Sequence, residues 1–330
     1  MKVAVAGATG SVGCEMMNVL EKRDFPVSEI LLLASERSSG KKLKFKGEEI
    51  EVKTLKEDSF KGCDIALFSA GKKVSLEFAR YATSSGCLVI DNSSAFRMDK
   101  DIPLVIPEIN QGDIALNKGI IANPNCTTII MCLPLWPIHK RFRAKRVVVA
   151  TYQAASGAGM RAMNELLDET KAVLLGESYE RKIFPFQYAF NLFPHNSPMM
   201  DNGYCEEENK MVFETRKIFH EENFNITATC VRVPVLRAHS EAINIELEEE
   251  ASVDEIYEVL KEAPGVKILE DRPNNRWPMP IDASCEDEVF VGRIRKDPTQ
   301  RNSFWLWIVG DQLLKGAALN AVQIAEYVIK

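Results

Sequence analysis

The segment Ile121-Ala122-Asn123-Pro124-Asn125-Cys126-Thr127-Thr128 concentrates groups able to do chemistry. Pro124 keeps Asn123 extended, and the helical run beginning at Thr127 puts Cys126 at a helix N-terminus. The positive helix end favours thiolate over thiol, which makes that sulfur a nucleophile. Asn125 adds a side-chain amide suited to stabilising an oxyanion. A structural turn around a buried cysteine is the alternative, since a cysteine is more often a small buried hydrophobe than a reagent.

A second informative run, Gly7-Ala8-Thr9-Gly10-Ser11-Val12-Gly13, follows the first apolar stretch and opens a helix. Glycines let the backbone turn sharply and approach a pyrophosphate, whose charge the free amides and the helix end then hold. Gly7, Thr9, Gly10, Ser11 and Val12 are the expected contacts. An ordinary tight turn can carry the same glycines, but a strand before and a helix after favour a dinucleotide. The next strand ends Ala34-Ser35-Glu36-Arg37-Ser38-Ser39-Gly40-Lys41. NAD sites usually place an acid there for the ribose 2′-hydroxyl. Ser35, Arg37 and Ser38 suit a 2′-phosphate instead, with Arg37 as a planar donor over it, so NADP(H) is the expected cofactor. Glu36 must then turn outward. A solvated polar loop is the competing reading.

The elements that position these groups change character along the chain. In the first half, apolar runs at 2–6, 30–34, 64–69 and 87–91 alternate with helix-period stretches such as 10–22 and 74–85. That pattern predicts a parallel sheet covered on both faces. Residues 41–54 alternate in polarity across Gly47-Glu48 and predict a hairpin inserted into that sheet. From about residue 144 the runs lengthen. Strands of a mixed or antiparallel sheet are expected at 146–153, 225–233, 242–248, 289–294 and 304–309, with amphipathic helices at 158–174 and 253–263. A final helix over 312–329 lines up Leu314, Ala317, Ala318, Ala321, Ala325 and Val328 and should pack back on the first domain. The expected class is α/β: an N-terminal Rossmann-like dinucleotide-binding domain (1–127 and 311–330) plus an α+β catalytic and dimerisation domain (128–310).

Bulk properties set limits. The chain has 330 residues, comfortable for two domains, and a net charge of −6, which disfavours nucleic acid as a partner. The most apolar run, Ile129 to Trp136, is too short for a bilayer and carries Pro134, so no membrane partner is expected. The opening Met1-Lys2-Val3-Ala4-Val5-Ala6-Gly7 lacks the long apolar core and cleavage site of a secretion signal. Eight cysteines without a Cys-x-x-Cys pair read as reduced cytoplasmic thiols, with no metal site.

Asn-Pro-Asn-Cys-Thr-Thr resembles the aspartate-semialdehyde dehydrogenase family. So do Thr151-Tyr152-Gln153-Ala154-Ala155-Ser156-Gly157-Ala158-Gly159, Arg232-Val233-Pro234-Val235-Leu236-Arg237-Ala238-His239-Ser240 and Lys315-Gly316-Ala317-Ala318-Leu319-Asn320. The motifs run in the family's order from residue 7 to residue 320. The resemblance implies NADPH-dependent conversion of aspartyl phosphate to aspartate semialdehyde, with release of inorganic phosphate. That chemistry serves lysine, threonine, methionine and isoleucine biosynthesis, in a homodimer or homotetramer. It implies that Cys126 carries the acyl group as a thioester and that His239 is general base and acid. Gln153 orients substrate or cysteine, and Arg232 grips the substrate carboxylate through two parallel hydrogen bonds. Arg97 and Lys210 bind phosphate. Glu207, chosen over Glu206 and Glu208 only for its spacing to Lys210, meets the substrate ammonium or braces that lysine. Ser156 and Gly157 border the nicotinamide. Gln312 stands where the family often has asparagine, which puts its cofactor contact in doubt.

Taken singly, Arg97 and Lys210 read as solvated charges, and His239 as one of four ordinary histidines. N-acetyl-γ-glutamyl-phosphate reductase shares the architecture and the Cys–His pair, but its substrate is longer and N-acylated, which Glu207 and the Gln153 segment disfavour. The Asn-Pro-Asn-Cys context does not resemble the cysteine motif of glyceraldehyde-phosphate dehydrogenase. A catalytically silent NADP-binding protein would have lost one of Cys126, Gln153, Arg232 or His239.

Overall fold

The computed structural model describes residues 1–329. The chain forms two compact units, Met1–Asn125 together with the chain from Ala317 on, and Cys126–Gly316.

The first unit begins with β1 (Lys2–Ala6), α1 (Ser11–Lys22) and β2 (Glu29–Ala34). Two short strands follow, β3 (Lys42–Phe45) and β4 (Glu48–Glu51), and then β5 (Lys53–Thr54). β6 (Ile65–Phe68), α2 (Lys72–Ser84), β7 (Leu88–Asp91), the single turn α3 (Pro107–Asn110) and β8 (Ile120–Ala122) continue the unit. The sheet runs β5-β2-β1-β6-β7-β8, and every pairing in it is parallel. Its central strands are apolar where they are covered, at Val3–Ala6, Leu32–Ala34 and Ile65–Phe68, because a parallel sheet is buried on both faces. Phe60 and Phe68 stack 5.4 Å apart within one face of its core.

The hairpin departs from expectation. β3 and β4 pair only with each other, as a separate two-stranded sheet, and it is β5 that joins β2. Alternation along 41–54 reports a hairpin with one solvated face, and carries no information about insertion into a sheet buried on both sides. β8, three residues long, was too short to be read from periodicity.

The second unit opens with α4 (Cys126–Phe142), buried almost continuously from Thr127 to Leu135. Pro134 and Pro137 lie inside it, removing two backbone donors from the helix. β9 (Ala144–Gln153), α5 (Met160–Leu175), β10 (Phe193–Pro194), α6 (Glu206–Phe219), β11 (Ile226–Arg232) and β12 (His239–Leu247) follow. Then come α7 (Val253–Lys261), β13 (Val266–Ile268), α8 (Pro280–Ala283), β14 (Val289–Lys296) and β15 (Ser303–Gly310). The mixed sheet has the order β10-β11-β9-β12-β15-β14-β13. α7 starts with a reciprocal cap, in which the Glu255 amide donates to Ser252 Oγ and the Glu255 carboxylate accepts from the Ser252 amide.

The unit boundaries differ from those read in the sequence. Cys126, Thr127 and residues 311–316 belong to the second unit, because α4 begins at Cys126 and Asp311 is held by Arg237 and the Cys285 amide. The expected last helix is shorter and interrupted. Leu314–Ala318 form a π-helical turn, and α9 (Leu319–Val328) returns to the first unit, where Glu326 pairs with Arg23 of α1.

Candidate active site

In the first unit, the chain leaves β1 at Gly7 with φ of +89°, where a Cβ would lie 2.3 Å from the Ser69 carbonyl oxygen. A Cβ at Gly13 would come equally close to the Gly7 oxygen, so only glycine permits the turn and the seating of α1 behind it. Gly7 and Ala8 both donate to Leu33 O, and Gly10 donates to Gly7 O. α1 then begins at Ser11, whose Oγ is buried without a partner among the described residues. A glycine cradle, an unused buried hydroxyl and a helix N-terminus fit a dinucleotide pyrophosphate. Beyond β2, Ser38 is buried and accepts from Thr9 Oγ1 at 3.4 Å. Ser35, Glu36 and Arg37 are exposed. Arg97 is also in this unit, 8% exposed, donating from Nε to Asn123 O and from Nη2 to Asn92 O, each at 3.0 Å. Asn123 is braced in turn by Asn320, which donates to its Oδ1 at 2.7 Å. Asn125, 6% exposed, ends the unit.

In the second unit, strand register assembles the site. Arg232 on β11 pairs with Gln153 on β9, and Tyr152 pairs with Ser240 on β12, which brings His239 to the level of Gln153. One row across the sheet therefore reads Arg232, Gln153, His239. Cys126, the partly exposed first residue of α4, places Sγ 3.6 Å from His239 Nε2. Two glycines make room for these side chains. A Cβ on Gly157 would sit 3.1 Å from Arg232 Nη1 and 3.2 Å from His239 Nε2, and one on Gly316 would sit 3.1 Å from Cys126 Cβ.

The His239 ring is fully buried, and its Nδ1 accepts the Ala154 amide at 3.0 Å. A neutral ring with Nδ1 accepting carries its proton on Nε2, facing the sulfur. Burial, and then the neighbouring Arg232 charge, hold His239 down to about 3, so it stands uncharged near neutrality. To take up a second proton the ring must give up the Ala154 amide.

Arg232 is 6% exposed, with Nη1 on Ala154 O and Nη2 on His195 Nε2, while its buried Nε has no partner among the described residues. The three acids of α6 separate cleanly. Glu208 accepts the Cys205 and Cys230 amides, Glu206 is 41% exposed, and Glu207 is buried with Oε1 3.4 Å from Gln153 Nε2. Lys210 lies 3.2 Å from Glu206 and 3.5 Å from Glu207. Gln312 accepts the Ala238 amide and bonds Ser156 Oγ, so its amide is already engaged within this unit.

Sequence reasoning missed His195. Its Nε2 lies 2.8 Å from Arg232, and burial with the Arg232 charge lowers it to about 4. No motif surrounds it, and only the Arg232 contact reveals it.

Residues 2–117 match the semialdehyde dehydrogenase NAD-binding domain, and 135–315 match the semialdehyde dehydrogenase dimerisation domain. The aspartate-semialdehyde dehydrogenase of Synechocystis is 52% identical over 330 residues, covering 100% of this chain and 98% of the relative. That of Aquifex aeolicus is 55% identical over 333 residues, covering 100% and 98%. The crystal structure of Vibrio cholerae aspartate semialdehyde dehydrogenase II complexed with ASA superposes with a TM-score of 0.95 at 43% identity, covering 99% of this chain and 98% of that one. With a nucleotide cradle in one unit, a cysteine–histidine pair in the other and full-length likeness throughout, the chain belongs to the aspartate-semialdehyde dehydrogenase family of oxidoreductases.

Proposed function

We propose that the enzyme reduces L-aspartyl 4-phosphate to L-aspartate 4-semialdehyde, reversibly, through an acyl thioester on Cys126. The observation that carries this reading is Cys126 Sγ, at the first turn of α4, 3.6 Å from Nε2 of the buried His239. The helix end and the Nε2–H donor both favour the thiolate. The thiolate attacks the acyl carbon, the C–O bond to phosphate breaks, and inorganic phosphate leaves with the electron pair. Asn125 supplies an amide to the developing oxyanion. A thioester accepts hydride more readily than a carboxylate does, and divides one hard step into two easier ones.

NADP(H), held by Gly7, Thr9, Gly10, Ser11 and Val12, with Ser35, Arg37 and Ser38 around its 2′-phosphate, supplies the hydride when bound. Collapse of the thiohemiacetal on Cys126 breaks the C–S bond and frees the aldehyde, with His239 hydrogen-bonded to the departing sulfur. Arg232 holds the substrate carboxylate through its unused donors, and Glu207 accepts from the ammonium. Gln153, bonded to Glu207, orients the reacting end. Lys210 and Arg97 serve the phosphate, and Ser156, Gly157 and Gln312 shape the nicotinamide side. The exposed apolar side chains Leu174, Leu175, Phe190, Leu192 and Met199 of the second unit support a homodimer, in which a second copy covers them.

Phosphate-dependent reduction of NADP by aspartate semialdehyde, run beside N-acetylglutamate semialdehyde and with NAD as the alternative cofactor, tests the assignment. Turnover of the aspartate aldehyde with NADP, and an acyl adduct on Cys126 trapped by mass spectrometry, are expected. Preference for the acetylated aldehyde overturns the substrate, and an adduct on another residue overturns the mechanism.

A further inference from the structure

We propose that His195 is a positioning residue which ties Arg232 to the start of α6, and so sets the spacing at which the site recognises the carboxylate and the ammonium of its substrate. The inference rests on the substrate roles given above to Arg232 and Glu207.

The His195 backbone amide donates to Cys230 O at 2.8 Å, fixing the residue beside β11, two positions short of Arg232. Its Nε2 lies 2.8 Å from Arg232 Nη2. A guanidinium can only donate, so Nε2 accepts and the ring proton sits on Nδ1. Nδ1 faces Ser197 Oγ at 3.0 Å, and Ser197 Oγ also accepts the Glu207 amide at 3.1 Å. The Ser197 amide approaches Nδ1 at 3.2 Å, a contact suited to the other tautomer. That tautomer would set two donors face to face at the shorter Arg232 contact, so the arginine decides. The result is one continuous path: Arg232 to His195, His195 to Ser197, and Ser197 to the first turn of α6, where Glu207 stands. Among the described residues, the only other hydrogen bond of the Arg232 head group is Nη1 on Ala154 O, beside a non-directional contact with the Phe184 ring face at 5.9 Å.

Without His195 the guanidinium can pivot about that one hydrogen bond across the Phe184 face, and its distance to Glu207 is less tightly fixed. A substrate gripped at both its carboxylate and its ammonium then loses more than one gripped by Arg232 alone. Succinate semialdehyde, which lacks the ammonium, is the one-ended probe. His195→Ala is expected to raise KM for aspartate semialdehyde roughly ten- to hundredfold, the worth of one hydrogen bond to a charged group. kcat and the KM for NADP should stay within about threefold. The preference in kcat/KM for aspartate semialdehyde over succinate semialdehyde should shrink by a similar factor. His195→Gln, whose carbonyl can still accept from Arg232, should recover most of the preference, and the shorter His195→Asn should not. If His195→Ala fails to fold, the Gln and Asn variants carry the same comparison.

Unchanged preference, an equal loss on both aldehydes, or Gln behaving like Asn overturns the proposal. Wild-type enzyme inactive on aspartate semialdehyde would instead remove the substrate reading, and this inference with it.

Discussion

In the first unit the cofactor cradle is one continuous run, residues 7–13, and its constraints lie in the backbone: a positive φ at Gly7 and two places where a Cβ would meet a carbonyl oxygen at 2.3 Å. In the second unit, Arg232, Gln153 and His239 come from three strands and meet only because register sets them in one row. The cradle is thus specified by what is missing from its residues, and the catalytic row by what its residues carry. Damage to the first should register as lost folding and nucleotide binding, and damage to the second as lost turnover in an intact protein.

Cys126→Ser gives the largest effect. Oxygen at this position is a far poorer nucleophile, and kcat should fall on the order of 10⁴-fold or more. NADPH binding, followed by cofactor fluorescence, should be unchanged because the cradle is untouched. A variant within tenfold of wild type would end the thioester account.

The same substitution placed in each region sharpens the contrast. Gly7→Ala forces an L side chain to φ of +89° against the Ser69 carbonyl, at a strain of about 1–3 kcal/mol before the clash is counted. A lowered Tm and lost NADPH binding are expected. Gly157 has no positive φ, and its added methyl would press on Arg232 and His239 at 3.1–3.2 Å. There kcat/KM should fall by roughly 10²-fold, the scale of a small misplacement at a reacting centre, with Tm nearly unchanged. Equal stability losses in both variants would erase the distinction between the regions. Arg37→Ala is milder. If Arg37 meets the 2′-phosphate as proposed, the charge-assisted contact is lost, so KM for NADPH should rise roughly tenfold with little change for NADH.

The two regions were unequally legible. The cradle could be read because its chemistry is local: glycines, a preceding strand and a following helix stand together in sequence. Cys126 could be read at its helix end for the same reason. Arg232, His239 and Glu207 came into view through likeness to a family, since spacing along a chain says little about residues joined across strands. The strand expected at 242–248 in fact starts three residues earlier, at His239, because the pairing of His239 with Gly310 depends on a strand far away in sequence. His195 had no local signal. Nor did Glu241, whose fully buried carboxyl, on the same strand two residues past His239, has no partner among the described residues for either oxygen.

That carboxyl and the histidines of the catalytic row pull stability in opposite directions with pH. Burial lowers His195 to about 4 and His239 to about 3 from an ordinary 6.5, so below 6.5 the unfolded chain binds protons that the folded one refuses. Each ring then costs about 1.4 kcal/mol of stability per pH unit as the solution is acidified from 6.5 towards 4. His139, also lowered by burial, adds in the same sense. Burial raises Glu241 well above 4.5, so above 4.5 the folded chain keeps a proton that the unfolded one has released. Its contribution is therefore lost as pH rises. Buried Asp91, raised by the same cause, opposes the histidines in the same sense as Glu241. The strongly lowered histidines should nevertheless make stability in urea climb with pH from about 4.5, and that climb should end near 6.5, where the histidine slope vanishes. Glu241→Gln should steepen the rise, whereas His195→Gln should flatten it. A Glu241→Gln profile parallel to wild type through this range would mean that the buried carboxyl is already ionised in the folded protein.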